Sequence, residues 1–548
     1  MARDLQAAMP ADFDVIVVGG GINGSGIARD AAIRGLSVLL LEKDDIANAT
    51  SAWSSRMIHG GIKYLENYEI DLVRESLRER EWLLHAAPHL VRPLPFMMPF
   101  LRRNRRGPLM LSAGMMAYDV LSFDKSLPHH RLLGRSGALK SAPGLDPNQL
   151  RGAALFYDAQ AENAERLSVE NVLSAQEHGA EVRTHTKATR LILEGNAVVG
   201  VEFVDQINGV ESSARARITI NATGPWVDEL LEPVQGHDRP LVGGTKGTHL
   251  VVDPFPGAPR DCAMYYEAVQ DGRPVLIIPW RGRYLIGSTD IRFHGDPGDA
   301  RADDSEIEYI LSETNLLMPS ARLTRDSVRF VYTGVRPLPY EPKDDVAKIT
   351  RHHIVRDHAP DVPGLVTIIG GKLTTFRSLA QDAVDLVSKK LDGRRRRCST
   401  RREQLPGART ADFAGFGKWF RANVNLEDRA SERLLSVYGT RATEVIRLAR
   451  QEPGLERTID PASGALAAEV VFAYRTESAR TLTDVIMRRT MLGLDPELAG
   501  TAVDEAATIM AECAGWSEAR RASEIDSYFR YAGRFRLAAP DVAVSAPS

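Results

Sequence analysis

Cysteine is scarce in this sequence of 548 residues, which has only Cys262, Cys398 and Cys513. The three lie far apart and form no C-x-x-C pair, which argues against a zinc site and against a disulfide framework. So few cysteines fit a reducing, cytoplasmic setting. The sequence also has no H-E-x-x-H or G-x-S-x-G motif, and therefore gives no support to metal-dependent or covalent nucleophilic catalysis.

Excess charge of one sign and long apolar runs are missing as well. The formal net charge is −3 at pH 7, so we expect no basic field of the kind that a dedicated nucleic-acid-binding protein presents. No stretch approaches the roughly 20 apolar residues that cross a bilayer. The N-terminal residues 1–18 contain no basic segment followed by an apolar core and a cleavage site, so we expect no secretory leader. The protein is expected to be soluble or to lie on a membrane surface.

The sequence does contain a βαβ pattern near its N-terminus. Residues 13–18 (FDVIVV) predict a buried strand, residues 22–34 have helical spacing that ends at Gly35, and residues 36–41 (LSVLLL) predict a second buried strand. This unit is typical of the start of a doubly wound parallel sheet.

The turn after the first strand has G-x-G-x-x-G spacing. Its first glycine permits a tight turn, its second lets the backbone approach a pyrophosphate, and its third lets helix and strand pack closely. The helix start favours phosphate, and an acidic residue that ends the second strand suits ribose hydroxyls. An ordinary glycine-rich turn is the alternative for the spacing alone. The predicted cofactor-binding residues of this unit are Gly19, Gly21, Ile22, Asn23, Gly24 and Glu42.

Three later segments favour FAD over NAD. Residues 48–65 (NATSAWSSRMIHGGIKYL) offer hydroxyls and amides for a second set of phosphate oxygens. The turns at residues 221–226 (NATGPW) and 369–377 (IGGKLTTFR) suit the close approach of backbone to a large planar cofactor. We predict FAD contacts from Thr50, Ser51, Ser54, Ser55, Ala222, Thr223, Gly224, Trp226, Gly371, Lys372, Leu373 and Thr374.

These segments resemble the FAD-dependent glycerol-3-phosphate dehydrogenases, within the larger family of D-amino-acid-oxidase-like flavoproteins. The resemblance covers residues 13–385 and continues weakly at residues 487–494 (MRRTMLGL); it includes SSRMIHGGIKYLE, NATGPWVDEL, KGTHLVV, IGSTD, GVRPL and ITRHH. It implies non-covalent FAD and the oxidation of sn-glycerol 3-phosphate to dihydroxyacetone phosphate by hydride transfer to flavin N5. It also implies that His59, Gly60 and Gly61 lie at the cofactor.

A phosphorylated substrate needs clustered cations, and arginine is favoured for its bidentate geometry. Arg336, Arg351 and Lys372 lie in the matched segments, and Lys63 lies beside Tyr64 in another. The resemblance implies that at least some of these residues face the substrate. Lys63 stands where the family usually has arginine, so it keeps the charge but loses the planar fork. A surface ion pair is the alternative role for any one of the cations.

Histidine is the expected base for the C2 hydroxyl. His249 in KGTHLVV is the leading candidate, and Arg336 could stabilise the developing alkoxide. His59 is a second candidate that the resemblance places nearer to the flavin ring. A hydrogen-bonded structural role is the alternative for both histidines.

Residues 90–123 combine apolar residues with a basic cluster. Such a combination suits the surface of an anionic membrane, although a core segment with a solvated basic turn is the alternative. The resemblance implies peripheral attachment to the inner face of the cell membrane and electron transfer to a quinone. A homodimer is one possible oligomeric state, which the sequence does not decide. The basic residues are Arg92, Arg102, Arg103, Arg105 and Arg106, with a second basic run, or a solvated linker, at residues 394–397, 401 and 402.

The scattered strands predict an α/β protein with three parts. A Rossmann-type, glutathione-reductase-like FAD-binding domain is expected in residues 13–95, 150–235 and 350–388, and an inserted antiparallel-sheet substrate domain in residues 96–149 and 236–349. After a basic composition break at residues 389–402, the pattern predicts a helical cap in residues 400–548.

Three other functions stay open from the sequence. A glycerol-3-phosphate oxidase would share both sites and pass electrons to O2, and an amine or amino-acid oxidase would leave Arg336 and Arg351 without an obvious purpose. A non-catalytic flavin-binding or membrane-scaffold protein would bind the cofactor without being reduced by a phosphorylated polyol.

Overall fold

The computed structural model describes residues 12–65, 68–104, 107–232, 234, 239–342, 349–392, 396–495 and 497–537. Its strands are β1 Asp12–Val18, β2 Val38–Leu41, β3 Met57–Ile58, β4 Val91–Leu101, β5 Arg131–Gly134, β6 Leu150–Ala161, β7 Glu181–Arg183, β8 Thr186–Glu194, β9 Ala197–Asp205, β10 Glu211–Asn221, β11 Thr245–Val252, β12 Ala263–Glu267, β13 Pro274–Trp280, β14 Arg283–Gly287, β15 Ile291–Arg292, β16 Val328–Arg336, β17 Ile354–Asp357, β18 Leu365–Ile369, β19 Thr458–Asp460 and β20 Ala465–Leu466. Its helices are α1 Ile22–Ile33, α2 Ile70–Ala86, α3 Pro108–Leu121, α4 Arg135–Ser141, α5 Ala164–Glu177, α6 Val227–Leu231, α7 Asp304–Leu317, α8 Phe376–Asp392, α9 Phe413–Asn423, α10 Asp428–Tyr438, α11 Ala442–Gln451, α12 Ala467–Thr476, α13 Leu482–Asp484, α14 Ala502–Ala514 and α15 Glu518–Ala532.

The first sheet, here the cofactor sheet, has the strand order β17-β18-β10-β1-β2-β7, with the hairpin β8–β9 attached to β10. The pairs β18·β10, β10·β1, β1·β2 and β2·β7 are parallel. The carboxyl ends of parallel strands meet at one edge of a sheet. The turns that follow β1, β10 and β18, which the sequence assigned to FAD, therefore converge there.

Burial explains why this sheet forms. The β1 residues Val15, Ile16 and Val17 are fully buried, as expected for a strand covered on both faces. One face packs against α1, α5 and α8, where small residues such as Ala28 and Ala31 let α1 approach the strands closely. The other face packs against the β8–β9 hairpin and α6.

The second sheet, here the substrate sheet, has the order β15-β11-β14-β13-β12-β4-β6-β3, with β16 also beside β11 and β5 beside β6. It is mainly antiparallel, with a single parallel pair between β4 and β12 in the described part of the chain. In the register of β11 and β16, Gly247 pairs with Gly334 and Thr245 with Arg336. A Cβ at Gly247 would overlap the guanidinium of Arg336, so this glycine makes room for the arginine.

The predicted fold class is confirmed: a Rossmann-type sheet, an inserted antiparallel sheet and a C-terminal helical region. The domain boundaries stay predictions. Residues 90–123 divide into the largely buried β4 and the exposed α3. In the C-terminal helical region, α13 is followed by a π-helical turn, Val485–Arg489. Within the described ranges, no helix combines the length and apolar composition that spanning a bilayer requires.

Candidate active site

A cavity of about 830 Å³ lies between the two sheets. It is within the size range of cofactor and substrate pockets. Residues from position 18 to position 374 line it, so the fold gathers segments that are far apart in the sequence. Every residue predicted for the cofactor, substrate or base lines this cavity except Gly24 and Gly60. Both of these glycines are instead required for packing beside it.

Glycine geometry shapes the cofactor end. Gly19 has φ +109°, and a Cβ there would stand 2.5 Å from the carbonyl oxygen of Ala222. A Cβ at Gly24 would overlap the carbonyl oxygen of Gly19. The α1 N-terminus is therefore open to the cavity at backbone level, as a pyrophosphate site requires.

Glu42 ends β2 beside the glycine turn. Its carboxylate accepts from the backbone N–H of Gly20 at 2.6 Å and of Asp44 at 2.9 Å. Burial raises the pKa of Glu42 to about 7. The ammonium of Lys43 lies 3.4 Å from the ring centroid of Trp226, and both residues line the cavity. A carboxylate next to an aromatic platform suits the ribose and adenine of a dinucleotide.

The hydroxyl residues of the loop after β2 divide between the two ends of the cavity. Ser51 Oγ accepts from the N–H of Ile22 at 2.9 Å at the helix start. Thr50 Oγ1 donates to the carbonyl of Val335 at 2.6 Å, and Ser54 Oγ accepts from the N–H of Arg56 at 3.1 Å. The loop thus links the phosphate end to β16.

Beside the cavity, the turn after β18 places a buried polar atom that has no partner within the described ranges. Gly371 has φ +94°, and Asn23 Nδ2 donates to the carbonyl of Gly370 at 3.1 Å. The buried Asn23 Oδ1 has no hydrogen-bond partner among the described residues. Asn23 Oδ1 is therefore an acceptor that a ligand can use. Together with the glycine turns and the volume of the cavity, it shows that the residues present fit FAD.

His249 is buried on β11. Its Nε2 lies 2.8 Å from Ser55 Oγ, and its ring stacks on Tyr332 with centroids 5.1 Å apart. Its Nδ1 is buried and lacks a partner in the described part of the chain. Burial, followed by the charges of Arg336 and Arg56, lowers the pKa of His249 to about 3. The imidazole is therefore neutral near neutral pH, so one of its ring nitrogens carries a lone pair.

Arg336 and Arg351 share one carboxylate that the sequence interpretation missed. Asp290 accepts from Arg336 Nη1 at 3.1 Å and from Arg351 Nη2 at 3.0 Å. Arg351 Nη1 is buried and has no partner among the residues described. Burial alone would raise the pKa of Asp290, but Arg336 and Arg351 outweigh it and lower the pKa. Asp290 ends the matched segment IGSTD, which was the available signal.

Lys372 and Tyr64 are in contact with each other in the wall of the same cavity. Lys372 Nζ lies 3.9 Å from the ring centroid of Tyr64 and 3.3 Å from Ser76 Oγ. Burial lowers the pKa of Lys372 to about 7, although Glu75 and Glu69 oppose this. Lys63 lines the cavity from the short 3₁₀ helix Ile62–Leu65.

His59 is held at the cofactor side. Its backbone N–H donates to Thr374 Oγ1 at 3.1 Å, and burial lowers the pKa of its imidazole to about 4. The next residue, Gly60, donates its N–H to Tyr118 Oη at 3.0 Å, and a Cβ there would overlap that hydroxyl. Glycine at position 60 is thus required by the contact with α3.

Comparison with known proteins decides the family. Residues 14–386 match the family described as FAD dependent oxidoreductase, and residues 398–521 match the C-terminal domain of alpha-glycerophosphate oxidase. A glycerol-3-phosphate dehydrogenase of Synechocystis sp. is 44% identical over 95% of this chain and 96% of its own length. Glycerol-3-phosphate dehydrogenase 2 of Mycobacterium tuberculosis is 37% identical over 94% and 87%. The chain belongs to the FAD-dependent glycerol-3-phosphate dehydrogenase family.

Solved structures agree with this family. The glycerol-3-phosphate dehydrogenase of Bacillus halodurans, in complex with FAD, matches with a TM-score of 0.78 at 27% identity and covers 96% of this chain and 95% of its own. The L-alpha-glycerophosphate oxidase of Mycoplasma pneumoniae, with FAD bound, matches with a TM-score of 0.54 at 19% identity over 69% of this chain and 95% of its own, and shows the shared fold. The protein is an FAD-dependent oxidoreductase. The individual residue roles stay predictions.

Proposed function

We propose that this enzyme oxidises sn-glycerol 3-phosphate to dihydroxyacetone phosphate and passes the electrons to a membrane quinone. The observation that carries the substrate is the buried, unpartnered Nη1 of Arg351, which shares one cavity with Arg336 and His249. A guanidinium group with an unused buried donor is suited to a phosphate. The names of the relatives support the same substrate.

The chemistry divides among few residues. Bound FAD supplies the hydride acceptor. In the tautomer that carries its proton on Nε2, His249 donates to Ser55 Oγ, and Nδ1 is then the lone-pair nitrogen that takes the proton from the C2 hydroxyl. The C2–H bond breaks with its electron pair as that proton leaves, and the product is a ketone. Arg336 stabilises the developing alkoxide by its charge. A bound phosphate dianion offsets that charge and raises the low pKa of His249.

Anaerobic mixing of the FAD-loaded enzyme with sn-glycerol 3-phosphate tests this proposal. We expect the visible absorbance of the oxidised flavin to disappear. Glycine and sarcosine serve as controls and should leave it unchanged. Bleaching by either amine without bleaching by glycerol 3-phosphate would overturn the proposal in favour of an amine oxidase.

The electron acceptor needs its own test, because the oxidase alternative shares both sites. We expect the substrate-reduced enzyme to be reoxidised rapidly by a soluble quinone analogue and slowly by air. Rapid, stoichiometric peroxide formation in air without a quinone would favour the oxidase.

Attachment to the inner face of the cell membrane is supported by α3. Its residues Leu109 and Val120 are 86% and 71% exposed, and Phe123 just beyond it is 76% exposed. The nearby basic residues Arg102 and Arg103 are exposed and suit anionic lipid. Arg105, Arg106, Arg394 and Arg395 of the two basic runs lie outside the described residues. The homodimer stays a prediction.

Sedimentation with anionic vesicles tests this surface. Leu109→Ser together with Phe123→Ser should reduce the fraction bound, because burial of these side chains in the lipid drives attachment. Phe529→Ser on the C-terminal helical region, where Phe529 is 44% exposed, is the matched control and should bind as the parent does. Equal binding of all three proteins would contradict the proposed surface.

A further inference from the structure

One carboxylate of the cavity lies between two guanidiniums: Asp290 lies between Arg336 and Arg351. Its two oxygens accept one hydrogen bond from each guanidinium, at 3.1 and 3.0 Å. Its side chain is 21% exposed and lines the cavity. Asp290 therefore uses donors that a substrate phosphate would otherwise use.

Arg336 also donates to other protein acceptors, which occupy further donors that a phosphate would use. Arg336 Nη2 donates to Ser288 Oγ at 2.6 Å and to the carbonyl of Thr289 at 3.1 Å, so protein acceptors already occupy both terminal nitrogens. Arg351 differs, because its Nη1 has no partner among the described residues. The two guanidiniums and Asp290 together carry a net charge of +1, whereas a phosphate dianion carries −2.

A carboxylate in this place has a benefit and a cost. In the ligand-free enzyme it gives two neighbouring guanidiniums a shared counter-charge, and buried cations without one are strongly destabilising. It also holds the two guanidinium planes at a fixed separation. When a dianion enters, the same carboxylate repels it, and this repulsion weakens the binding of substrate and product alike.

We propose that Asp290 is a positioning residue that holds Arg336 and Arg351 in register in the ligand-free enzyme and weakens the binding of dianions, so that a phosphorylated product can leave. The inference rests on the proposed function, because it assumes that substrate and product carry a phosphate. It assigns Asp290 no contact with the reacting carbon.

Charge dependence separates this role from a purely structural one. Coulomb energy scales with the charge of the ligand, so removal of one negative charge strengthens the binding of a dianion by the square of the factor for a monoanion. A general loosening of the cavity would weaken the binding of the dianion and of the monoanion alike. The sign and the ratio of the two changes therefore identify the mechanism.

The test titrates the FAD-loaded enzyme with sulfate and with formate at constant ionic strength and follows the flavin spectrum. For Asp290→Asn we expect sulfate to bind about tenfold more tightly and formate about threefold. The kcat for glycerol 3-phosphate should fall together with KM, because product release slows. Asp290→Glu keeps the charge and should bind sulfate within about threefold of the parent.

Asp253→Asn is the matched control. Asp253 also bridges two arginines of the same sheet, Arg283 at 3.1 Å and Arg329 at 2.5 Å, but it does not line the cavity. This variant should leave sulfate binding unchanged.

The possible failures are distinguishable. Parent enzyme that binds no sulfate would overturn the phosphate site of the proposed function, and this inference with it. Sulfate binding by the parent that is unchanged or weaker in Asp290→Asn would overturn the role of Asp290 alone. If Asp290→Asn loses FAD, a tenfold gain in sulfate affinity in Asp290→Glu would overturn it equally.

Discussion

Two clusters of charge in the interior of this protein, one fully and one partly buried, differ in how completely they are paired. The first, here the interface network, joins the C-terminal helical region to the cofactor sheet and its helices. The second, here the cavity cluster, consists of Arg336, Arg351, Lys372 and Asp290 between the two sheets. The interface network consists of Arg166, Arg441, Arg488, Arg489, Asp45, Glu170, Glu477 and Asp484.

In the interface network, four arginines face four carboxylates. Glu477 accepts from Arg166 at 2.6 and 2.9 Å and from Arg441 at 2.5 Å. Asp45 accepts from Arg488 at 2.5 Å and from Arg489 at 2.7 and 2.8 Å. Glu170 Oε1 has no hydrogen-bond partner among the described residues, but it lies 3.8 Å from Arg166 Nη2. Each charge of the network therefore has an opposite charge beside it, which leaves little capacity for a ligand and indicates a structural role.

In the cavity cluster, Arg336 and Arg351 share the carboxylate of Asp290, whereas Lys372 has Glu75 and Glu69 in its electrostatic surroundings. Arg351 Nη1 has no partner in the described part of the chain, and burial depresses the pKa of Lys372. Arg336 and Arg351 together exceed their shared carboxylate by one positive charge, and an anion that enters the cavity would offset it. The comparison teaches that incomplete pairing beside a cavity marks the ligand site, whereas fully buried charges with complete counter-charge do not.

The largest expected effect comes from breaking the interface network. Glu477→Gln leaves Arg166 and Arg441 without their shared counter-charge, which should lower the free energy of unfolding by about 3–5 kcal/mol. Denaturant unfolding of the FAD-loaded enzyme measures this. KM should not change, because Glu477 does not line the cavity.

The same carboxylate gives this variant a pH signature. Burial alone would raise the pKa of Glu477, but Arg166 and Arg441 outweigh it and lower the pKa to about 2. A depressed pKa contributes stability that is present above the ordinary value of 4.5 and is lost as the pH falls toward 2. The difference between parent and Glu477→Gln should therefore shrink in acid; a constant difference would contradict the assignment.

Arg351→Ala probes the cavity cluster and should act on binding rather than on folding. Loss of a charge-assisted contact to phosphate should raise KM about a hundredfold, equivalent to about 2.7 kcal/mol. The unfolding free energy should stay level or rise, because one of two neighbouring cations is removed. Arg356→Ala, an exposed position five residues later, is the control. A stability loss as large as that of Glu477→Gln would abolish the distinction between the clusters.

The sequence identified the cations of the cavity cluster as site candidates, but it did not identify Asp290, the carboxylate that pairs with two of them. The G-x-G-x-x-G spacing predicted Gly19, Gly21 and Glu42 at the cofactor end because local backbone geometry dictates those residue types. Asp290 escaped prediction because its role depends on Arg336 and Arg351, which β16 and a later segment bring to it.

The sequence predicted no part of the interface network, for the same reason. Arg166 and Glu477 are 311 residues apart in the sequence, and no local spacing links them. Ser55 shows the intermediate case: it lines the cavity, and its hydroxyl, which the sequence predicts to contact FAD, lies 2.8 Å from His249 Nε2. Roles that depend on a distant partner require the fold.

Loss of the Lys372 charge should have a smaller effect on KM, and this effect should depend on pH. Because its pKa is lowered to about 7, the ammonium loses its proton as the pH rises through that value, and its attraction for phosphate is lost with it. We expect KM to rise about threefold to tenfold between about pH 6 and pH 9. Bound dianion favours the protonated amine and moves the midpoint upward. Lys372→Met should abolish this inflection; a variant that retains it would assign the titration to another group.

The smallest expected effect comes from a charge pair that lies in neither cluster. Glu452 pairs with Arg475 on the surface of the C-terminal helical region, and their side chains are 40% and 44% exposed. Solvent screens such a pair, so Glu452→Gln should change the unfolding free energy by less than about 1 kcal/mol, and added salt should reduce even that. Glu477→Gln, with its counter-charges buried, should be nearly insensitive to salt. If the two variants lost equal stability with equal salt dependence, burial would add nothing to the pairing of Glu477, and the structural role assigned to the interface network would be wrong.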